Sequence, residues 1–190
     1  MGLRKKDFKI GVWHSKWLKN EKEDKIRNHL FVKGMVNLIL GRREKKKIRL
    51  IAYELPLKYP SKGKSIDLLG IDRHWCPYIF ELKDEDNPQE LQEVINQINK
   101  YQRNFEKMRK DVEKEVRNMY FIPRFKFVGE TQKIILAPQR YYEGQKRKQT
   151  YIPLLSNINI KYFYFPGSTA TKILDSGEDS IKVHDFTKRK

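Results

Sequence analysis

The chain is short of cysteine, of acidic residues and of long apolar runs, and each shortage excludes a class of protein. Cys76 is its single cysteine, so an internal disulfide is excluded, and one thiol with four scattered histidines offers no zinc-ligand spacing. No segment is apolar over a membrane-spanning length, and the N-terminal residues lack the apolar core of a signal peptide. We therefore expect a cytoplasmic protein without a membrane partner.

Basic residues are abundant where acidic ones are few. The 190 residues include 41 Lys and Arg but only 24 Asp and Glu, which leaves a formal net charge of +17. Such a charge favours a polyanionic partner, and nucleic acid is the leading candidate. A basic protein that its charge merely keeps dispersed is the alternative, which composition alone does not exclude.

The length and the apolar content suit one folded domain. We predict a basic lead-in over residues 1–14, a domain over residues 15–166 and a C-terminal tail over residues 167–190. The spacing of apolar residues predicts a first helix over residues 15–39, broken near Gly34. The oligomeric state stays open, with a homodimer as one option.

A long amphipathic helix is predicted after Asn87, which suits the N-cap position. Its apolar residues recur at alternating steps of three and four from Leu91 to Val112. Strands are predicted on both sides of this helix, over residues 48–57, 65–71, 78–83, 125–128, 133–137 and 159–165.

Residues 65–71 and 78–83 place charged side chains among apolar ones on adjacent strands. Because side chains alternate along a strand, Glu81 and Lys83 share one face. Asp67 lies on the preceding strand, and a hairpin pairing would bring the three side chains together. Two carboxylates in a partly buried place need a cation, and Mg²⁺ accepts one or two carboxylates while keeping positions open for a phosphate.

This arrangement predicts metal-assisted phosphodiester hydrolysis with Mg²⁺ or Mn²⁺. Asp67 and Glu81 are the expected metal ligands, with the Leu82 carbonyl as a third, and Lys83 would orient or deprotonate the attacking water. The alternative is a cross-strand ion pair between Glu81 and Lys83 on a solvated face. It explains less well why both residues interrupt an apolar run.

Asp67, followed after thirteen residues by Glu81-Leu82-Lys83, resembles the core signature of the PD-(D/E)XK nuclease superfamily. The resemblance implies a restriction-endonuclease-like α/β fold, in which a mixed central β-sheet is flanked by helices. It also implies a metal-dependent nuclease that acts mostly on DNA. Ile66 precedes Asp67 where the superfamily often has proline, and the chain lacks the cysteines of its iron-sulfur relatives.

Gln97 and Tyr101 extend the resemblance, because they match the Gln-x-x-x-Tyr motif of RecB-like branches of the superfamily. Residues at i and i+4 lie on one helical face, so both side chains can point at the metal site. The resemblance gives them a supporting role toward metal or substrate. It covers about half of the chain, over residues 21–101.

A third acidic ligand is expected from Glu54 or Glu23. Glu54 shares a face with Leu50 and Ala52 on the predicted strand, where a carboxylate needs a partner. Glu23 lies on the predicted first helix, where relatives of the superfamily often place a glutamate. Glu54 is the favoured candidate, and an ordinary solvated charge is the alternative for Glu23.

Three basic segments, predicted as loops, are candidates for nucleic-acid contact, since cations bind phosphates and interleaved aromatic rings stack on bases. Ordinary solvated loops are the alternative. The candidates are Lys45, Lys46, Lys62, Lys64, Arg140, Tyr141 and Lys146. An alternative function goes with these contacts, namely a catalytically inactive protein that binds nucleic acid or acts in an assembly.

Overall fold

A computed structural model describes residues 22–40, 44–57, 65–146, 160–165 and 181–185. These residues form seven strands and three helices. In chain order they are α1 (Lys22–Lys33), β1 (Met35–Ile39), β2 (Lys45–Pro56), β3 (Ser65–Ile71), β4 (Pro77–Leu82), α2 (Leu91–Tyr120), β5 (Gln132–Pro138), α3 (Gln139–Lys146), β6 (Lys161–Phe165) and β7 (Ile181–Asp185).

The seven strands close into a mixed β-barrel in their chain order. Strands β1 to β4 pair antiparallel, β4, β5 and β6 pair parallel, and β7 runs antiparallel to β6. Helix α2 supplies the crossover that the parallel pairing of β4 with β5 requires. The ring closes where β7 pairs parallel with β1.

The predicted restriction-endonuclease-like sheet, open and flanked by helices, is therefore wrong. The pairing of β1 with β7 joins the two ends of the described chain and leaves no free sheet edge. The sequence pattern predicts neither strand, because it places residues 35–39 in the first helix and residues 181–185 in the C-terminal tail. The predicted tail thus contains a barrel strand, while the lead-in lies outside the described residues.

Helix α1 ends at Lys33 because Gly34 turns the chain. Gly34 has a φ of 68°, in the left-handed region, and its N–H donates to the carbonyl oxygen of Leu30 over 3.1 Å. The chain leaves this turn as a strand, in which Val36 and Leu38 are buried.

Side-chain alternation divides the core between the two faces of the barrel wall. All seven strands and α1 contribute to the inner cluster, which includes Tyr78, Phe80 and Leu82 of β4. Ile79, between them, belongs to an outer cluster that α2 and α3 cover. Glu81 follows Ile79 by two residues, so its side chain lies on the outer wall, beneath α2.

Helix α2 confirms the predicted apolar stripe, although it begins after Glu90 and has no side-chain cap, so Asn87 is not its N-cap. Residues 125–128 form no strand, whereas β5 and β6 agree with their predictions. Within the described residues, no helix is long and apolar enough to cross a membrane. The stripe residues, all buried, are Leu91, Val94, Ile98, Tyr101, Phe105, Met108 and Val112.

Candidate active site

The structure brings Asp67, Glu81 and Lys83 together on the outer wall of the barrel. Strands β3 and β4 pair Leu68 with Phe80, and the same register one residue further places Asp67 opposite Glu81. The Nζ atom of Lys83 donates to Oε1 of Glu81 over 2.8 Å. All three side chains are buried, so the solvated ion pair between Glu81 and Lys83 is excluded.

Both carboxylate oxygens of Asp67 are engaged. Its Oδ2 atom accepts a hydrogen bond of 2.8 Å from the backbone N–H of Leu82, and its Oδ1 atom accepts one of 3.2 Å from Nη1 of Arg27. Leu82 therefore contacts the site through its amide, while its side chain lies in the inner cluster. This amide holds the Asp67 carboxylate against β4.

Glu81 has one engaged and one unengaged oxygen. Its Oε1 atom accepts from Lys83 and, over 2.6 Å, from Nε2 of Gln97. Its Oε2 atom is buried and has no hydrogen-bond partner among the described residues. Burial raises the pKa of Glu81 well above its ordinary value, and the nearby charge of Asp67 raises it further while Lys83 opposes. A cation at Oε2 would remove the cost of this unpaired oxygen.

Helix α2 presents Gln97 and Tyr101 to the carboxylates, as predicted from their i and i+4 spacing. Nε2 of Gln97 also lies 2.8 Å from the Tyr101 hydroxyl, and its Oε1 accepts from Gln89. Tyr101 therefore reaches Glu81 through Gln97. Burial, followed by the charge of Glu81, raises the pKa of the Tyr101 hydroxyl.

Arg27 of α1 completes the site, and sequence reasoning missed it. Its guanidinium lies 2.9 Å from Oε1 of Glu54, also bonds Asp67 and Asp24, and is buried. Burial lowers the pKa of Arg27, but the carboxylates, Asp67 first, raise it overall. The sequence signal that could have indicated Arg27 is its position four residues after Glu23, which places both side chains on the same helical face.

Both predicted third carboxylates lie near Asp67. Glu54 lies opposite Asp67 in the register, between the pairs of Tyr53 with Leu68 and Leu55 with Ile66, and its φ of 46° is left-handed. Its carboxylate points to Arg27.

Glu23, at the start of α1, accepts a hydrogen bond of 3.3 Å from Nδ2 of Asn87. Burial raises the pKa of Glu23 to about 7, and the charge of Asp67 contributes next, while Lys83 opposes. Glu23 therefore lies within electrostatic reach of both Asp67 and Lys83.

The donor set suits a hard divalent cation with few protein ligands. Within the described part of the chain, no three His, Cys, Asp or Glu side chains are grouped so as to hold a metal ion. Mg²⁺ is commonly held by one or two carboxylates, with water and substrate phosphate completing its shell. The Asp67 and Glu81 oxygens, with Oε2 of Glu81 unpaired, fit this mode of binding.

The predicted phosphate contacts on β2 lie at the other end of the barrel. Asp72 is five residues beyond Asp67 along β3, about 16 Å at about 3.3 Å per residue. The Nζ atom of Lys46 lies 3.4 Å from Oδ2 of Asp72 and 2.8 Å from the Tyr78 hydroxyl. Lys45 is exposed at the same end. Neither lysine adjoins the acidic site.

The third predicted binding segment, around Arg140 and Tyr141, is helix α3 rather than a loop. Tyr141 is buried, with its hydroxyl donating to the Gln89 carbonyl oxygen over 3.1 Å, so its ring is not exposed for stacking. Arg140 is exposed and interacts electrostatically with Asp86. The candidates Lys62 and Lys64, and the side chain of Lys146, lie outside the described residues.

Comparison of the chain with family models, with curated proteins and with solved structures finds no match. The geometry of the acidic site and the motif resemblance are therefore the grounds for assigning a function. The resemblance carries no argument about the fold, which is a closed barrel.

Proposed function

We propose that the chain is a metal-dependent nuclease that hydrolyses phosphodiester bonds, with Mg²⁺ or Mn²⁺ as cofactor and DNA as the preferred substrate. The carrying observation is the buried group of Asp67, Glu81 and Lys83, in which one Glu81 oxygen has no hydrogen-bond partner among the described residues. A divalent cation between the two carboxylates would satisfy this oxygen and lower the local negative charge.

The local charge balance supports a cation at this place. Five carboxylates share the site with two basic side chains, although the whole chain carries a net charge of +17. Such an excess of buried and partly buried acid is costly unless protons or a metal ion offset it. The carboxylates belong to Glu23, Asp24, Glu54, Asp67 and Glu81, and the basic groups to Arg27 and Lys83.

In the proposed mechanism Asp67 and Glu81 would hold the metal ion, whose positive charge would stabilise the attacked phosphate. Lys83 acts as a cationic donor to that phosphate or to the attacking water. Burial lowers the pKa of Lys83, but Glu81 and Glu23 raise it overall, so the amine stays protonated and does not serve as a base. Gln97 is a positioning residue, because its amide fixes the Glu81 carboxylate.

DNA is preferred because the nuclease superfamily that Asp67, Glu81-Leu82-Lys83 and Gln97 resemble acts mostly on DNA. The positive charge of the chain suits either nucleic acid. The cytoplasm is the proposed compartment.

The proposal is tested by cleavage of labelled linear duplex, circular single-stranded and branched DNA in Mg²⁺, Mn²⁺ or EDTA. Asp67→Ala and Lys83→Ala are each expected to reduce metal-dependent cleavage by about 10²–10³-fold, since each removes charge from the reacting centre. The exposed Glu44 and Lys110 provide matched controls. Glu44→Ala and Lys110→Ala should cleave like wild type.

A second candidate is a nucleic-acid-binding or assembly protein without turnover. It is favoured by Arg27, whose guanidinium already forms ion pairs with Asp67 and Glu54. A folded wild type that cleaves none of the substrates, yet binds DNA equally in EDTA and Mg²⁺, would overturn the nuclease proposal in favour of this one. Cleavage that both Asp67→Ala and Lys83→Ala abolish would exclude the second candidate.

A further inference from the structure

A row of cations lies on the outer face of β2, at the barrel end opposite to the acidic site. Lys45, Lys47 and Arg49 lie at alternate positions of the strand and are exposed, whereas Ile48 and Leu50, on the opposite face, are buried in the inner cluster. At about 3.3 Å per residue, neighbouring cations recur about every 6.6 Å.

The connection between β3 and β4 lies beside this row. Arg49 pairs with Ile71, the last residue of β3, so the exposed Arg73 and the half-buried Trp75 follow close to it. Lys47, Arg49, Arg73 and Trp75 line a cavity of about 300 Å³. A neighbouring cavity of about 490 Å³ shares Lys47 and Arg73. We call Lys45, Lys47, Arg49, Arg73 and Trp75 the basic rim.

Asp72, the acidic residue that lines both cavities, does not neutralise the rim. Its Oδ1 accepts from the backbone N–H groups of His74 and Cys76, over 2.9 and 3.1 Å. Its Oδ2 lies beside Lys46 and the Tyr78 hydroxyl. Burial raises the pKa of Asp72, but these donors, Cys76 first, lower it overall. The Asp72 carboxylate therefore interacts with groups outside the rim.

The rim cations carry unbalanced charge. In the described parts of the chain, none of Lys45, Lys47, Arg49 and Arg73 forms an ion pair; Nε of Arg73 bonds only the neighbouring ring of His74, over 2.9 Å. Trp75 adds an aromatic surface that is held in place. The centroid of its ring lies 5.3 Å from that of the Phe125 ring, and its backbone is left-handed, with a φ of 64°.

We propose that the basic rim is a second binding site, which holds the phosphates of a single nucleic-acid strand while a base stacks on Trp75. Regularly spaced cations beside an aromatic ring are the pattern by which proteins hold single strands without reading sequence. The site is separate from the acidic cluster, and binding here does not depend on the proposed nuclease activity.

The test measures the affinity of a fluorescein-labelled oligothymidylate across a salt series in EDTA, where no metal-dependent cleavage occurs. Replacing Lys47, Arg49 and Arg73 by alanine removes three phosphate contacts. The slope of log affinity against log salt should become less steep by about 2, at about 0.7 per contact on a single strand. Because the three side chains are exposed, thermal unfolding should stay at the wild-type temperature.

A matched variant removes three exposed cations of α2, by the changes Lys107→Ala, Lys110→Ala and Lys114→Ala. It loses the same net charge and should keep the wild-type slope. Equal loss of slope in both variants would overturn the proposal, because binding would then follow net charge alone.

Trp75 supplies an independent readout. Oligothymidylate should quench the tryptophan fluorescence of the wild type, and Trp75→Phe should remove that quenching with only a small loss of affinity. Free thymidine monophosphate tests whether a nucleotide alone suffices. Quenching that survives in Trp75→Phe, or a mononucleotide that binds as tightly as the strand, would contradict the proposal.

Discussion

Arg27 is the side chain on which the charge of the acidic site depends most. Its buried guanidinium forms ion pairs with Asp24, Glu54 and Asp67. The sequence motifs do not include this residue. Arg27 therefore stabilises the fold without a metal. A metal ion bound as proposed would share the negative charge of Asp67 with this guanidinium.

Arg27→Met is expected to destabilise the protein by about 3–5 kcal/mol, because it leaves buried carboxylates without their partner. Mg²⁺ should restore part of this loss, so the unfolding temperature should rise more with Mg²⁺ in the variant than in the wild type. Thermal unfolding in EDTA and in Mg²⁺ measures both effects. Arg103→Met, an exposed change on α2, is the control. A variant as stable as wild type would refute the assigned role.

Glu23 makes stability depend on pH. Burial and the charge of Asp67 raise its pKa from 4.5 to about 7, so between these values the folded state holds a proton that the unfolded state has released. The free energy of unfolding should therefore fall as the pH rises through this window, by up to about 1.4 kcal/mol per pH unit.

Glu23→Gln should make this dependence less steep, because the amide does not titrate, while Glu81, whose pKa burial also raises, still contributes. Denaturant unfolding in EDTA between pH 4.5 and 7 measures the slope. The exposed Glu44→Gln should retain the wild-type slope. An unchanged slope in Glu23→Gln would show that another group carries the dependence.

At the scale of single elements, β3 passes closely beside β2 at Gly70. A Cβ atom there would lie 2.5 Å from Cγ2 of Ile48 and 3.1 Å from the Arg49 carbonyl oxygen. Gly70→Ala should therefore cost about 1–3 kcal/mol through overpacking, as measured by denaturant unfolding. Gly144→Ala in α3, with no atom within 4 Å of the new Cβ, should instead stabilise by about 0.5–1 kcal/mol. If the two substitutions changed the free energy of unfolding equally, β3 would not be closely packed against β2 at Gly70.

The elements differ in how far their sequences predicted them. Helix α2 carries an apolar stripe over many turns, and β3 and β4 are bounded apolar runs, so local periodicity was sufficient. Strand β1 has five residues directly after a helix, too few to show a period of its own. The sequence predicts a loop in place of helix α3, because the polar residues of this segment give no apolar pattern that would indicate the burial of Tyr141 and Tyr142.

At the scale of the whole molecule, the two candidate sites lie at opposite ends of the barrel. The acidic cluster lies where β3 begins and β4 ends, and the basic rim lies where β3 ends and β2 begins. A nucleic-acid strand that engages both sites must run along the barrel wall for about 16 Å. The basic rim would then hold a strand at a distance from the point of cleavage.

The sequence by itself determined the meeting of Asp67 with Glu81 and Lys83, because it depends on strand alternation and a short hairpin, and the motif resemblance implied the approach of Gln97. Only the tertiary structure decided that Arg27 neutralises Asp67, that Lys45 and Lys46 lie away from the acidic site, and that β7 closes a barrel against β1. These outcomes depend on contacts between residues distant in the chain. Local periodicity carries no information about such contacts, since they are selected by the packing of the complete core.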